Sequence, residues 1–275
     1  MFANGYNAVS FFFVLSGFVL AYVYAADGNG DLVVESRAFW KNRFARIYPA
    51  YALALLVSLP AHAYSAFVAH ITPVTPFIGS LLLVPFLLQA WLPPLALAWN
   101  TPAWSLSVEA FFYAGFPSLL RRSARVKPMK WLALSLGAVV GMTVLREWLG
   151  AAPCLGLADG NRQNLVLYFP PFFLPHFALG VALSRWLTTG KGSSSLWATG
   201  LFVSAGAVVL LLFAGRSRVP GWLLTDAMLV PLYGAIVWGG AQAAGSVARL
   251  FSARALVQLG EASYALYILH MPLAF

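Results

Sequence analysis

Long stretches without a single ionised side chain recur through this sequence, and no other feature restricts its fold so strongly. Ala8–Ala26, Ile47–His70 and Leu196–Ala214 contain no Asp, Glu, Lys or Arg. A hydrocarbon layer about 30 Å thick is crossed by about 20 mostly apolar helical residues, so each of these runs is long enough. Charged residues make up 9% of the chain, against about 25% in an ordinary soluble domain, which excludes a water-soluble globule. The expected fold class is all-α: a polytopic transmembrane helical bundle forming one membrane domain over residues 1–275.

The apolar runs place about eight spans, at Ala8–Ala26, Ile47–His70, Ser105–Leu120, Trp131–Leu149, Leu165–Leu187, Leu196–Ala214, Trp222–Gly240 and Ala255–Phe275. Phe77–Leu92 is shorter and different in kind. Pro85 interrupts it, Pro76 precedes it, Pro93 and Pro94 follow it, and proline removes backbone donors and bends or ends helices. A partial or re-entrant segment is expected there. Irregular backbone at membrane depth survives only against protein or a water-filled cavity, so this segment should wall a polar cavity. Pro170, Pro171 and Pro175, just ahead of His176, are expected to break the helix over Leu165–Leu187 in the same way.

The net charge of +9 is carried largely by clusters at Arg37–Arg46, Arg121–Lys130, Arg185 with Lys191, and Arg249 with Arg254. They sit between apolar runs rather than along a soluble face, which argues for membrane topology and against nucleic acid. With Phe77–Leu92 not crossing, all four clusters fall on one side, the cytoplasmic side of an inner (plasma) membrane, with Arg162, Arg216 and Arg218 as exceptions. Met1–Asn7 carries no basic residue, so the first run reads as a spanning helix and not as a signal peptide. Cys154 is the lone cysteine, so neither an intrachain disulfide nor a cysteine metal site can form. His62 and His70, eight apart on one expected helix, have no carboxylate at ligand spacing, and no metal is expected.

Four segments carry the chemistry: Phe11–Phe18 (FFFVLSGF), Phe39–Tyr51 (FWKNRFARIYPAY), Trp104–Glu109 (WSLSVE) followed by Phe112 and Tyr113, and Leu259–His270 (LGEASYALYILH). In order and spacing they resemble the bacterial membrane-bound acyltransferases of acyltransferase family 3, which modify surface carbohydrates. The resemblance implies transfer of an acyl group, most simply acetyl, from a cytoplasmic acyl-CoA co-substrate to a hydroxyl of a surface or periplasmic carbohydrate, with no permanently bound cofactor. It makes Arg43 and Arg46 donor-binding residues, with Ser16 and Gly17 as further donor-binding candidates. It leaves deprotonation of the acceptor to a histidine ahead of the Ser-Gly-Phe helix, while Glu109 orients that acceptor. His270, which the resemblance does not make the family's catalytic histidine, is a second catalytic candidate, and Trp104, Ser105 and Tyr264 are substrate-positioning candidates. The family also places an arginine and a catalytic histidine on a helix ahead of the Ser-Gly-Phe helix. The sequence begins at Met1 just before that point and closes on apolar Phe275, so both ends read as cut.

On their own physics these residues allow plainer readings. Arg43 and Arg46, three apart, share a helix face and can present guanidinium forks to phosphates, or simply anchor the topology at lipid headgroups. Glu109, about five residues into its helix and so about 7 Å deep, either faces a cavity or is a structural partner with Ser105 as the helix cap. His270, about 22 Å along the last helix, is either a proton acceptor or a packed side chain. Trp104 also suits an interfacial anchor. Ser16 and Gly17 allow close helix approach or passage of the pantetheine arm, and with no adjacent base a serine nucleophile is rejected. The rival function is a transporter or flippase for a lipid-linked sugar or small anion, coupled to protons by Glu109 and His270.

Overall fold

The computed structural model describes residues 3–25, 32–151, 156–189 and 195–274. Cys154, Lys191, most of the Gly190–Ser195 connector and Phe275 lie outside them. Apart from one isolated antiparallel bridge between Ala25 and Leu32, the secondary structure named for these residues is helical. In chain order the α-helices are α1 (Ala3–Tyr24), α2 (Ser36–Phe67), α3 (Val74–Leu83), α4 (Trp104–Ala124), α5 (Pro128–Ala151), α6 (Asp159–Tyr168), α7 (Leu174–Thr189), α8 (Ser195–Ala214), α9 (Asp226–Ala241), α10 (Gly245–Phe251) and α11 (Arg254–Leu273).

A helix lies over each of the eight expected spans. By length and composition five are fit to cross a membrane: Asn7–Tyr24, Ser36–Phe67, Pro128–Ala151, Asp159–Thr189 and Leu196–Ala214. A sixth is added if α9 and α10, which meet at a bend of 97°, form one span. The difference from eight lies partly in α4 and α11, whose length suffices but which carry Glu109, Arg121 and Arg122, and Arg254 and Glu261 respectively. The protein is a helical membrane bundle. Two boundaries move. Helix α2 begins at Ser36, so the basic residues expected in a loop are already helical, and it ends at Phe67, which leaves His70 off the helix with φ of 53°. At 1.5 Å per residue its 32 residues run about 48 Å, which exceeds the apolar layer by about the length of the basic first three turns.

Packing divides the chain into two compact units, each made of three chain segments. The first comprises Met1–Val34, Gly115–Leu145 and Phe173–Leu256. Here α1 packs on α7 and α9, and α8 packs on α9, around Val14, Phe18, Leu179, Leu183, Leu229 and Val237. The α1–α7 crossing depends on two glycines: a methyl group at Gly17 would overlap the carbonyl of Phe177, and one at Gly180 the carbonyl of Val14. Apolar side chains gain little by leaving lipid for protein, so close backbone approach through small residues is what holds such a crossing. Arg185 on α7 donates to the carbonyls of Ser123 and Val126, which close the last turn of α4.

The second unit comprises Glu35–Ala114, Arg146–Phe172 and Val257–Phe275. The proline-bearing stretch after α3 forms no spanning helix: short 3-10 turns at Val84–Phe86, Gln89–Trp91, Pro93–Leu95 and Thr101–Ala103 follow one another up to α4. Side chains take over the pairing that a helix would supply. Tyr51 donates to Val84 O, Gln89 to Ala103 O at 2.8 Å and Ser107 to Leu87 O. The expected break over Leu165–Leu187 is also present, as a 3-10 turn at Pro170–Phe173 between α6 and α7. Pro170 has no N–H to give to Val166 O, and the Arg146 guanidinium Nε donates to that carbonyl at 2.9 Å instead.

Replacing Gly180 by Val should therefore force α1 and α7 apart, at a cost of about 1–3 kcal/mol. A thermal unfolding midpoint in detergent no lower than that of the parent protein would contradict this account of the crossing.

Candidate active site

The second unit gathers most of the residues singled out in the sequence. The turn at Thr101–Ala103 runs directly into α4, and Trp104, Ser105, Leu106, Ser107 and Val108 are all buried. Ser105 is not the cap: its hydroxyl donates to Pro102 O at 3.0 Å, one turn back. Trp104 is buried against the Tyr168 ring, centroids 5.0 Å apart, rather than standing as an exposed anchor.

Glu109 follows, half-buried, and its Oε1 accepts a hydrogen bond from Tyr113 OH at 3.0 Å. Tyr113 is fixed in turn, its ring edge-on to Phe39 and its carbonyl accepting from Trp40 Nε1 at 2.9 Å. The Glu109 charge bears on two phenols of α11, those of Tyr264 and Tyr267. Tyr264 OH donates to Ile47 O of α2 at 2.6 Å. Tyr267 OH lies 3.0 Å from Ser105 Oγ and 3.1 Å from Pro102 O. Two hydroxyl protons thus serve three close oxygen pairs, a network that ties α11 to the start of α4.

His270 is exposed on α11, where Nδ1 donates to Tyr267 O at 2.6 Å; no hydrogen bond or ion pair joins it to Glu109. Arg43 is half-buried and Arg46 exposed, both on the basic first turns of α2. Ser16 and Gly17 belong to the first unit, where Gly17 is filled by the backbone of Phe177 and serves the helix crossing.

The same unit contains an open cavity of about 710 Å³. It is lined by α2, by the irregular stretch from Pro94 to Thr101, and by Asn164 and Met271. The run Phe77–Leu92, expected to wall a polar cavity, contributes none of its lining; only the prolines flanking that run, Pro76 and Pro94, reach it. Sequence reasoning missed the cavity's key side chains. His62 was considered only as a metal ligand, Trp99 carried no local signal, and Asn100 was passed over. Their partners are remote: His62 stacks on Trp99, centroids 5.3 Å apart and planes within 9°, and Asn100 Nδ2 donates to Ile268 O at 3.0 Å. One available signal was Asn100 and Thr101 standing just before WSLSVE in an otherwise apolar segment.

The first unit holds a separate polar cluster that the sequence also concealed. Ser10 Oγ donates to Asp226 Oδ1 at 3.0 Å, and His176 Nε2 stands 3.4 Å from Asp226 Oδ2. All three side chains are buried. A hydrogen-bonded carboxylate among apolar helices fixes register, because slippage would leave it without partners.

A membrane helical bundle with a half-buried carboxylate set among hydroxyls defines the class, and comparison supplies the family. The whole chain, residues 1–275, matches the family model described as acyltransferase domain, and the chain belongs to acyltransferase family 3. It is 33% identical over 283 residues to the acyltransferase MdmB of Streptomyces mycarofaciens, covering 97% of this chain and 67% of that protein. A shorter match, 49% over 53 residues, is to protein 2 in the picA locus of Rhizobium radiobacter and covers 19% of this chain and 27% of that one. No solved structure matches. The protein is a membrane acyltransferase, and it works on an acyl donor and an acyl acceptor.

The Tyr267–Ser105–Pro102 network should be felt in stability before chemistry. Tyr267→Phe removes one of its two protons and should cost about 0.5–1.5 kcal/mol. The check is the unfolding midpoint in detergent together with faster proteolysis of α11; parent-like values in both would show that the network holds nothing.

Proposed function

We propose that this protein moves an acyl group, acetyl in the first instance, from cytoplasmic acyl-CoA to a hydroxyl of a cell-surface or periplasmic carbohydrate. The observation that carries the reading is the half-buried Glu109 carboxylate, held by Tyr113 and faced by the phenols of Tyr264 and Tyr267 in the unit that also contains the cavity. A carboxylate at such a position is costly unless it works or is paired, and the hydroxyls around it can hand hydrogen bonds between protein and substrate.

In the reaction the acceptor oxygen attacks the thioester carbonyl; a C–O bond forms, the C–S bond breaks, and the thiolate leaves and is protonated. The acceptor hydroxyl proton passes to a neutral imidazole, whose reference pKa of about 6.5 suits the task. His270 is the exposed candidate: with Nδ1 donating to Tyr267 O, its neutral ring keeps the lone pair on Nε2. Glu109 orients the acceptor hydroxyl, with Ser105, Trp104 and Tyr264 as positioning residues behind it. Arg43 and Arg46 clasp the donor's phosphates on the cytoplasmic side, and no permanently bound cofactor takes part. Positioning of the two substrates supplies most of the acceleration.

Two measurements bear on this. With purified protein expressed from its intact gene, Glu109→Gln should lower kcat about 100-fold or more. Arg43→Ala should raise the KM for acetyl-CoA about tenfold, the scale of one charge-assisted contact. Parent-like kinetics in both variants would remove these roles, and failure of the parent protein to consume acetyl-CoA with any carbohydrate acceptor would remove the reading. For topology, cysteines placed at Lys41 and Arg46 in a Cys154→Ser background should react with an impermeant maleimide only after the cells are opened. Labelling in intact cells would put the donor site on the wrong face.

A further inference from the structure

The cavity of the second unit has a chemistry that can be read atom by atom. None of its lining residues is Asp, Glu, Lys or Arg. Its volume of about 710 Å³ falls within the range of about 300–1,000 Å³ usual for small-molecule sites.

Proton bookkeeping fixes what its polar side chains have left to offer. Ser80 gives its one hydroxyl hydrogen to Phe77 O at 2.7 Å, so towards His62, 2.7 Å away, it can only accept. His62 Nε2 therefore carries the hydrogen, and in the neutral ring the lone pair sits on Nδ1, which has no hydrogen-bond partner among the described residues. Asn100 points Nδ2 at Ile268 O, which leaves Oδ1 as an acceptor; that oxygen is buried and without a partner. Asn164 spends Nδ2 on Pro93 O at 2.9 Å and is left with Oδ1 in the same way. Three lining residues thus retain acceptors and have committed a donor to the scaffold, while Trp99 Nε1–H is a buried donor without a partner and the Tyr64 and Thr101 hydroxyls add further donors.

A wall of aimed acceptors with hydroxyl and indole donors but without charge selects strongly. An anion would find no cation to offset its lost water. An ammonium would lose its water and find no carboxylate. An apolar or lipid-like occupant would leave the acceptors unsatisfied. What remains is a neutral molecule rich in O–H groups. Trp99 adds an aromatic face held at φ of 66°, a conformation rare for a bulky side chain and most often retained where a site requires it.

We propose that this cavity is the binding site for an uncharged, polyhydroxylated ligand, one of whose hydroxyls donates to His62 Nδ1 and others to the Asn100 and Asn164 carbonyls. This rests on the acyl-transfer reading only in naming that ligand the acceptor: it restricts the acceptor to neutral sugars or polyols and excludes uronates and other acidic sugars.

The test separates binding from transfer. Saturation-transfer difference spectra are recorded on the full-length protein in detergent, without acyl donor, using the methyl glycosides of glucose, galactose, mannose and rhamnose and the methyl uronosides of glucose and galactose. At least one neutral glycoside should give a signal and the uronosides none. Ala98→Trp and Ala61→Trp, which fill the cavity from the irregular stretch and from α2 and touch none of the hydrogen bonds above, should each abolish it. His62→Phe should weaken binding about three- to tenfold, the loss of one neutral hydrogen bond, while His62→Gln, which keeps an acceptor, should restore most of it. Absence of any neutral-glycoside signal, a signal that survives both tryptophan variants, or equal binding of the uronosides overturns the proposal. Acyl transfer from acetyl-CoA whose acceptor KM is unchanged in both tryptophan variants overturns this site and leaves the transfer reading standing. Glycoside binding without transfer does the reverse.

Discussion

In a hydrocarbon layer a backbone carbonyl or N–H without a partner has no water to turn to, and each such group costs several kcal/mol. Helices solve this by themselves, and wherever this chain departs from a helix a side chain has to complete the pairing. Arg146 answers the carbonyl that Pro170 leaves open, and Arg185 closes the end of α4. Tyr51, Ser107, Gln89 and Asn164 serve carbonyls of the broken stretch between α3 and α4. The irregular stretch is as fully determined as a helix, but its determinants lie elsewhere in the chain.

That arrangement has a chemical by-product. An amide or imidazole that spends its donor on the scaffold is left with an acceptor, and its rotamer is locked, so the acceptor is aimed as well as free. His62 and Asn100 are of this kind. The hydroxyls around Glu109 obey the same logic: Tyr267 and Ser105 are held by Pro102 O, and Tyr264 by Ile47 O. Structural pairing and preorganised chemistry are served by the same residues here, so substitutions among them will change both.

The sequence and the structure agree best where the physics is local. Apolar runs of helix length mark the helices, and clustered prolines mark the breaks after α3 and between α6 and α7, because lost N–H groups act on the immediate backbone, whereas the bend between α9 and α10 has no such mark. Agreement is weaker at the ends of α2: Arg37 to Arg46 are good helix neighbours, but their charge made them look like a loop, while His70 fell outside because nothing in the apolar pattern marks the stop at Phe67. The site was half legible. Glu109 stood out as a charge in an apolar helix, whereas Asn100 and Ile268 are 168 positions apart, and Ser10 and Asp226 216 apart, distances across which no periodicity speaks.

The four motifs that carried the family resemblance prove to be of two physical kinds. In FFFVLSGF the glycine is filled by the backbone of α7, so Gly17 reports a helix crossing, and a sequence can keep it for packing whatever it binds. In WSLSVE and LGEASYALYILH, Ser105 and Tyr267 meet through their hydroxyls and the Glu109 charge bears on Tyr264 and Tyr267, and no packing demand specifies a carboxylate and phenols where apolar side chains would fill the space more cheaply. A motif match is therefore evidence for the bundle in the first case and for the chemistry in the second. It follows that a distant relative could lose Glu109 and its tyrosines and keep the Ser-Gly-Phe helix, retaining this architecture without the side chains to which the proposed reaction is assigned.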